Sequence, residues 1–391
     1  MSPCKCSDPY ALLNLLYGPE RGETAGKALR QMLPGSPARA GAPLDESNIA
    51  LSSSPQTSLN PSELLIHDVD LFAGLPGQPA ADYHDPAALL AVTQTLLDEV
   101  QHSARLLRLK NISRVWGNPQ HQPQNVLILG FLRAAMLLAD PSVLVAAELE
   151  APLEVRAPYF GNGENAAHLI ETGELPWLLL DAFARGQSNK LQAWVNDLRL
   201  PITDISFLHR LVWPDEISAP LAAELLSAEN LASLQNALAA SKVQPRNFMT
   251  ALDAAGETLP PELAQRRALA VHTILLALTG LPTLDTASHS FPGLATILRA
   301  RAASPAFSPW GAQVGLSCGG ACLSLMRIAP NGAMALCISN TSAEPQTAAL
   351  DAAALGFNGE WRDLLTGDAM NLDEEEWCKL EGYQSRWWVA R

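Results

Sequence analysis

Arg105-Leu106-Leu107-Arg108-Leu109-Lys110-Asn111-Ile112 reads as a short apolar β-strand that ends in polar side chains. Further along, Val143-Leu144-Val145-Ala146-Ala147-Glu148 repeats the design, a buried run with a carboxylate at its C-terminal end. Each run follows a helix pattern, and strands that alternate with helices pair in parallel. The architecture this implies is a β/α barrel, whose chemistry sits at the C-terminal ends of the strands. Lys110 and Glu148 are therefore candidate site residues.

The helix patterns have clear starts and stops. Asp85 is an N-cap and Pro86 the first helical residue, before Leu89, Val92, Leu96 and Val100 at helical spacing. Gln124 to Leu138 reads as a second apolar helix, and Pro261 to Thr279 as a third, stopped by Gly280. A first helix is expected over 10–33, with Gly22 as an interruption, followed by irregular chain over 34–63 in which only Asn48 to Ser52 suits a strand. Beyond residue 310 the pattern turns to short β-runs, Leu323 to Ile328 and Ala333 to Ile338, joined by the hairpin signal Pro330-Asn331-Gly332. The chain thus divides serially. An N-terminal segment covers 1–63, a β/α barrel 64–309 and a small antiparallel β-domain, of sandwich type, 310–391.

Composition narrows the function. With 48% hydrophobic and 17% charged residues the chain suits a soluble globular protein, not a disordered one. A formal net charge of −14 argues against nucleic acid and anionic membrane surfaces as partners. Met1 to Cys6 lacks the apolar run of a signal peptide, and no segment has the length of a membrane span, so a cytoplasmic location is expected. Six cysteines in so long a chain do not form a disulfide scaffold. Cys4-x-Cys6 and Cys318-x₃-Cys322 lack the companion ligands of a zinc site, and His67 with Asp68 and Asp70 reads as a polar loop; no metal or cofactor is expected. His272 sits within an apolar helix as a core histidine, and Glu374-Glu375-Glu376 reads as a solvated face. No nucleophile elbow, Walker loop or dinucleotide fingerprint is present.

The order of the motifs resembles the sucrose-phosphorylase-like branch of the α-amylase clan (glycoside hydrolase family 13), which includes sucrose and glucosylglycerate phosphorylases. Asp82-Tyr83-His84-Asp85-Pro86 is similar to the family's Asn-Tyr-x-Asn-Pro, and Arg108-Leu109-Lys110 to its Arg-Leu-Asp. Trp116 matches the end of its Phe-Leu-Trp, Tyr159-Phe160-Gly161-Asn162-Gly163 its Tyr-Phe-Gly-x-Gly, and Leu175-Pro176-Trp177-Leu178 its Leu-Pro-Pro-Leu. The segment from Ser206 to Asp215 resembles the strand ending in Ser-His-Asp, with Pro214 for the histidine. Gly280-Leu281-Pro282 begins the last barrel strand, and Trp361 to Gly367 with Tyr383-Gln384 resembles the C-terminal β-domain.

The resemblance implies reversible α-glucosyl transfer between a small glucoside and phosphate, and the departures from it bear on activity. Such chemistry takes two carboxylates about 5–5.5 Å apart, one a nucleophile and one an acid/base. By resemblance Glu148 is the acid/base and Asp215 the carboxylate that stabilises the transition state, while Lys110 holds the position of the nucleophile. An ammonium cannot attack an oxocarbenium-like centre, so a Lys110–Glu148/Asp215 ion cluster filling the old sugar subsite is expected. Arg108, Trp116, Tyr159 and Phe160 are the substrate-binding candidates; Trp116, Trp177 and Trp213 could stack on sugar rings, and at least two of them read as core. Between Leu51 and Asp82, where the family carries its second and third barrel strands, an inserted B-domain and an Asn-His motif, there are only 30 residues; a βα unit takes about 30 by itself, so at least two strands and the insertion do not fit. The Arg/Asn-rich loop after the last strand is replaced by Ser288 to Gly293. An incomplete (β/α)8 TIM-type barrel of about six strands follows, which leaves open edges, closes with altered shear, or recruits a partner. The reading is a catalytically silent protein that binds a small sugar or glucoside, a second copy of itself or an intact homologous enzyme; the alternative is a glucoside-active enzyme that still uses Glu148.

Overall fold

The computed structural model describes residues 8–34, 48–51, 63–72, 81–102, 104–117, 123–149, 153–199, 205–211, 219–241, 247–284, 292–350, 355, 359–371 and 378–390. Seven strands follow one another around a closed barrel: β1 (Ile49–Leu51), β2 (Glu63–Asp70), β3 (Leu106–Lys110), β4 (Leu144–Ala147), β5 (Leu169–Thr172), β6 (Ser206–Arg210) and β7 (Leu281–Leu284). The barrel and the C-terminal β-region are those expected from the sequence, but the strand count is seven where about six were expected. The added strand is β2, whose charged residues read as a loop. The barrel closes, so no edge is left open.

The fold divides into two compact units that interleave along the chain, unlike the serial boundaries at 63/64 and 309/310. The first comprises Met1–Leu44, Ala50–Glu171 and Pro201–Leu208, the second Asp45–Ile49, Thr172–Leu200 and His209–Arg391. In the first unit, α1 (Pro9–Tyr17) and α2 (Pro19–Met32) replace the single helix expected over 10–33. The break falls at Gly18, at φ 79°, before Pro19 at the first position of α2, not at Gly22. Gly22 lies inside α2, where a Cβ would collide with Asn14 of α1; its missing side chain lets the two helices touch. In α3 (Pro86–Gln101) the Asp85 side chain accepts from the Ala87 N–H, as expected of an N-cap before proline. Its Leu89, Val92, Leu96 and Val100 are buried, as is the apolar stripe of α4 (Pro123–Ala139).

Strand β3 is buried on both faces through Leu106, Leu107, Arg108 and Leu109, the mark of a parallel strand covered on both sides. Leu106, Arg108 and Lys110 share one face and Leu107 and Leu109 the other. Parallel pairing sets Arg108 level with Asp68 of β2 and Ala146 of β4, and Ala146 level with Leu169 of β5.

In the second unit, the antiparallel region comprises β8 (Ala312–Gly315), β9 (Cys322–Ile328), β10 (Met334–Asn340), β11 (Gln346–Thr347), β12 (Glu360–Asp363), β13 (Ala369–Asn371), β14 (Lys379–Leu380) and β15 (Ser385–Ala390). Six strands form one sheet in the order β13-β12-β15-β10-β9-β8, and β11 pairs with β14. The Pro330-Asn331-Gly332 hairpin joins β9 to β10 with Gly332 at φ 86°. Cys318 and Cys322 pack in the apolar core of this region with Leu336, Trp361 and Trp388. Arg327 of β9 is fully buried and donates to the carbonyls of Ala277, Leu278 and Ser308. The first two carbonyls belong to the end of helix Pro261–Ala277, so the guanidinium supplies the donors that a helix C-terminus lacks. His272, inside that helix, is 1% exposed and bonds the Ala268 carbonyl, the core role expected of it. Among the described residues no helix is long and apolar enough to cross a membrane.

One histidine takes part in the strand ladder of the first unit. His168, just before β5, bonds Val145 twice: its Nδ1 accepts from the Val145 N–H at 3.0 Å and its own N–H donates to the Val145 carbonyl. Protonation of Nδ1 would break the first bond, and burial, aided by Arg133, pushes the imidazole down to about 3 from the usual 6.5. Between pH 6.5 and 3 the unfolded chain binds a proton that the folded chain refuses. The stabilisation is therefore complete above about pH 6.5 and lost as the pH falls toward 3, with an upper bound of about 5 kcal/mol. Urea-unfolding midpoints measured across that window should fall with pH in the parent protein and less steeply in His168→Asn.

Candidate functional site

The guanidinium of Arg108 gathers three carboxylates at the C-terminal end of the barrel strands. Its Nη1 meets Asp68 Oδ2 at 3.0 Å, its Nη2 meets Glu148 Oε1 at 3.0 Å, and its Nε donates to Glu171 Oε2 at 2.5 Å. Leu109 pairs with Ala147, and Ala147 with Ile170, so Glu148 and Glu171 are the next residues along their strands. Arg108 starts one layer below them, and the small Ala146 beside it leaves room for the guanidinium to rise to their level. The side chains of Arg108 and Glu171 are 3% and 8% exposed, those of Glu148 and Asp68 18% and 43%, so the cluster runs from dry interior to solvent.

Burial on its own would lower the pKa of Arg108. Glu171, Glu148 and Asp68 outweigh it and raise the pKa, so the guanidinium stays charged. At an effective dielectric near 20, one ion pair at about 4 Å is worth roughly 4 kcal/mol before desolvation. Several such contacts are needed to offset the cost of removing a cation from water. The planar fork of arginine serves separate acceptors at once, which a lysine ammonium does less well.

Of the ion cluster expected around Lys110, the Lys110–Glu148 contact is not formed, and the part with Asp215 lies outside the described residues. Lys110 and Glu148 follow paired residues on adjacent strands, yet Glu148 bonds Arg108, and Lys110 makes no ion pair among the described residues. The physical reason is burial: Arg108 is enclosed and needs the carboxylates, while half-buried Lys110 reaches water. Beyond it, Asn111 adopts a left-handed turn at φ 59°, and its amide donates to both oxygens of Asp70 at 3.1 Å. Asp215, with Trp213 and Pro214, lies outside the described residues.

The aromatic candidates do not join this cluster. Trp116 packs between Tyr17, with ring centres 5.9 Å apart, and His84, at 4.5 Å. Tyr159 and Phe160 are 2% and 1% exposed on a short 3₁₀ turn, and Phe160 meets Phe207 edge-on at 5.7 Å. Burial pushes the Tyr159 phenol up. Trp177 is buried in the core.

Two members of the cluster escaped the sequence reading. Asp68 belongs to strand β2, not to a polar loop, and Leu64, Ile66 and Asp68 alternate as strand residues do. Glu171 ends Leu169-Ile170-Glu171, the same apolar-run-plus-carboxylate design as Glu148, and that repetition was the available signal. Among the described residues no group of three or more His, Cys, Asp or Glu is arranged to hold a metal ion.

No protein-family model matches the chain. The glucosylglycerate phosphorylase of Allomeiothermus silvanus is 30% identical to it over 226 residues, which cover 53% of this chain and 41% of that protein. The glucosylglycerate phosphorylase of Escherichia coli (strain K12) is 28% identical over 222 residues, covering 52% and 40%. The chain therefore spans about two-fifths of the length of these curated relatives. Among solved structures, AmyP in complex with maltose superposes with a TM-score of 0.57 at 13% identity, over 84% of this chain and 75% of that one. The α-amylase from H. orenii gives 0.56 at 13% identity, over 81% and 67%. The fold is thus of the α-amylase type.

Removing the Arg108 guanidinium would leave Glu171 as a buried carboxylate beside two others. Arg108→Met should therefore lower stability by about 3–5 kcal/mol at pH 7, the range for breaking a buried ion cluster. Chemical denaturation at pH 7 and pH 4.5 should show the deficit narrowing at the lower pH, where carboxylates take up protons; an equal deficit at both would assign the effect to lost packing.

Proposed function

We propose that this chain, a relative of the glucosylglycerate phosphorylases built on an α-amylase-type barrel, is catalytically silent and serves as a binding module. One observation carries the reading: the strand that positions Arg108 ends in Lys110, and the carboxylate opposite, Glu148, is bonded to that arginine. Retaining transfer takes a nucleophile and a proton donor on the two sides of the glucosidic bond. Lys110 supplies no nucleophile, because a cation repels the positive charge that develops at the anomeric carbon. Glu148 Oε1 is engaged as an acceptor by that guanidinium, which only donates. The cluster is on this reading a charge-balanced remnant that stabilises the strand ends. A small sugar or glucoside, a second copy of the chain or an intact homologous enzyme is its partner, in the cytoplasm.

A second reading is favoured by Asp68. Its half-exposed carboxylate shares a guanidinium with Glu148 and could act as the nucleophile of a residual glucoside-active enzyme.

Incubation of the purified chain with glucosylglycerate or sucrose and inorganic phosphate separates the two. The expected result is no glucose 1-phosphate above a protein-free control. Release that vanishes in both Glu148→Gln and Asp68→Asn would overturn silence in favour of the second reading.

A further inference from the structure

Within the second unit, a cleft of about 420 Å³ lies among helix Pro261–Ala277, helix Leu294–Ala302 and the turn leading into β15. That volume is in the range of small-ligand pockets, and the cleft has no part in the Arg108 cluster. Leu269 and Ile297 give it an apolar wall. Arg266, Glu381 and Gln384 give it polar groups, and Tyr383 an aromatic one.

The charges are the informative part. Arg266 and Glu381 line the same cleft with opposite sign, yet neither makes an ion pair with any described residue, and Arg266 is exposed. A guanidinium only donates hydrogen bonds and a carboxylate only accepts them, so together they ask for a ligand that carries both an anionic acceptor and hydroxyl donors.

The turn that supplies Glu381 is held in one geometry. A Cβ on Gly382 would collide with the Ala343 carbonyl, and Tyr383, a non-glycine residue, sits at φ 54°. The Tyr383 ring stacks on Phe183 with centres 5.9 Å apart, and the Gln384 side chain accepts from the Glu381 N–H at 2.8 Å. A left-handed conformation at a bulky residue persists only where its surroundings fix it, and here they fix the edge of a cleft.

We propose that this cleft binds a small sugar acid. The carboxylate of the ligand pairs with Arg266, its ring hydroxyls donate to Glu381, and its C–H face rests on Leu269 and Ile297. The binding does not depend on silence at Arg108.

Isothermal titration of the full chain with D-glucuronate tests this, with glucose as the uncharged control. D-glucuronate is expected to bind about tenfold more tightly than glucose, and Arg266→Ala to erase that preference. Thr296→Trp, an exposed position on the cleft wall, should block binding of both. Absence of binding, or D-glucuronate binding unchanged in Arg266→Ala and Thr296→Trp, would each overturn the assignment.

Discussion

A guanidinium enclosed at a strand end cannot be left without anions, and the arrangement around Arg108 follows from that need. Asp68, Glu148 and Glu171 come from three stretches of chain far apart in sequence, so their meeting depends on the register of β2, β3, β4 and β5. A slip by one residue would turn Arg108 to the opposite face, between Leu107 and Leu109, with no carboxylate to receive it. The cluster is therefore a register lock as well as a charge cluster. The double link between His168 and Val145 acts in the same direction at the start of β5.

Such a lock bears on how a barrel closes with seven strands. A β/α barrel of this type ordinarily has eight, with interior layers filled by side chains from alternate strands. Here a large charged side chain and its partners take up interior space at the strand ends.

What the sequence made legible was whatever a local rule governs. The Asp85-Pro86 start of α3 and the Pro330-Asn331-Gly332 hairpin need only neighbours a few residues away, and both were readable. The β3 run was readable from Leu106, Leu107 and Leu109, and β4 because it is apolar throughout. Strand β2 was not, because His67, Asp68 and Asp70 make it look solvated, while their partners Glu99, Arg108 and Asn111 lie 32 to 41 residues on. The Gly18-Pro19 break follows the same local rule, whereas the role of Gly22 is contact between helices, a tertiary matter. Glu148 was legible as a site residue and its partner was not: the choice between Arg108 and Lys110 turns on which is buried deeper, and strand alternation puts both on one face.

The fully buried Arg327 makes the C-terminal sheet more than an appendage. Its donors close the end of a helix that precedes β7, so a strand made late in synthesis completes an element made early. Until β9 is in place, the carbonyls of Ala277 and Leu278 lack the arginine that receives them in the finished fold. A nascent chain released before that point would carry a frayed helix, and the two elements should gain protection from hydrogen exchange together.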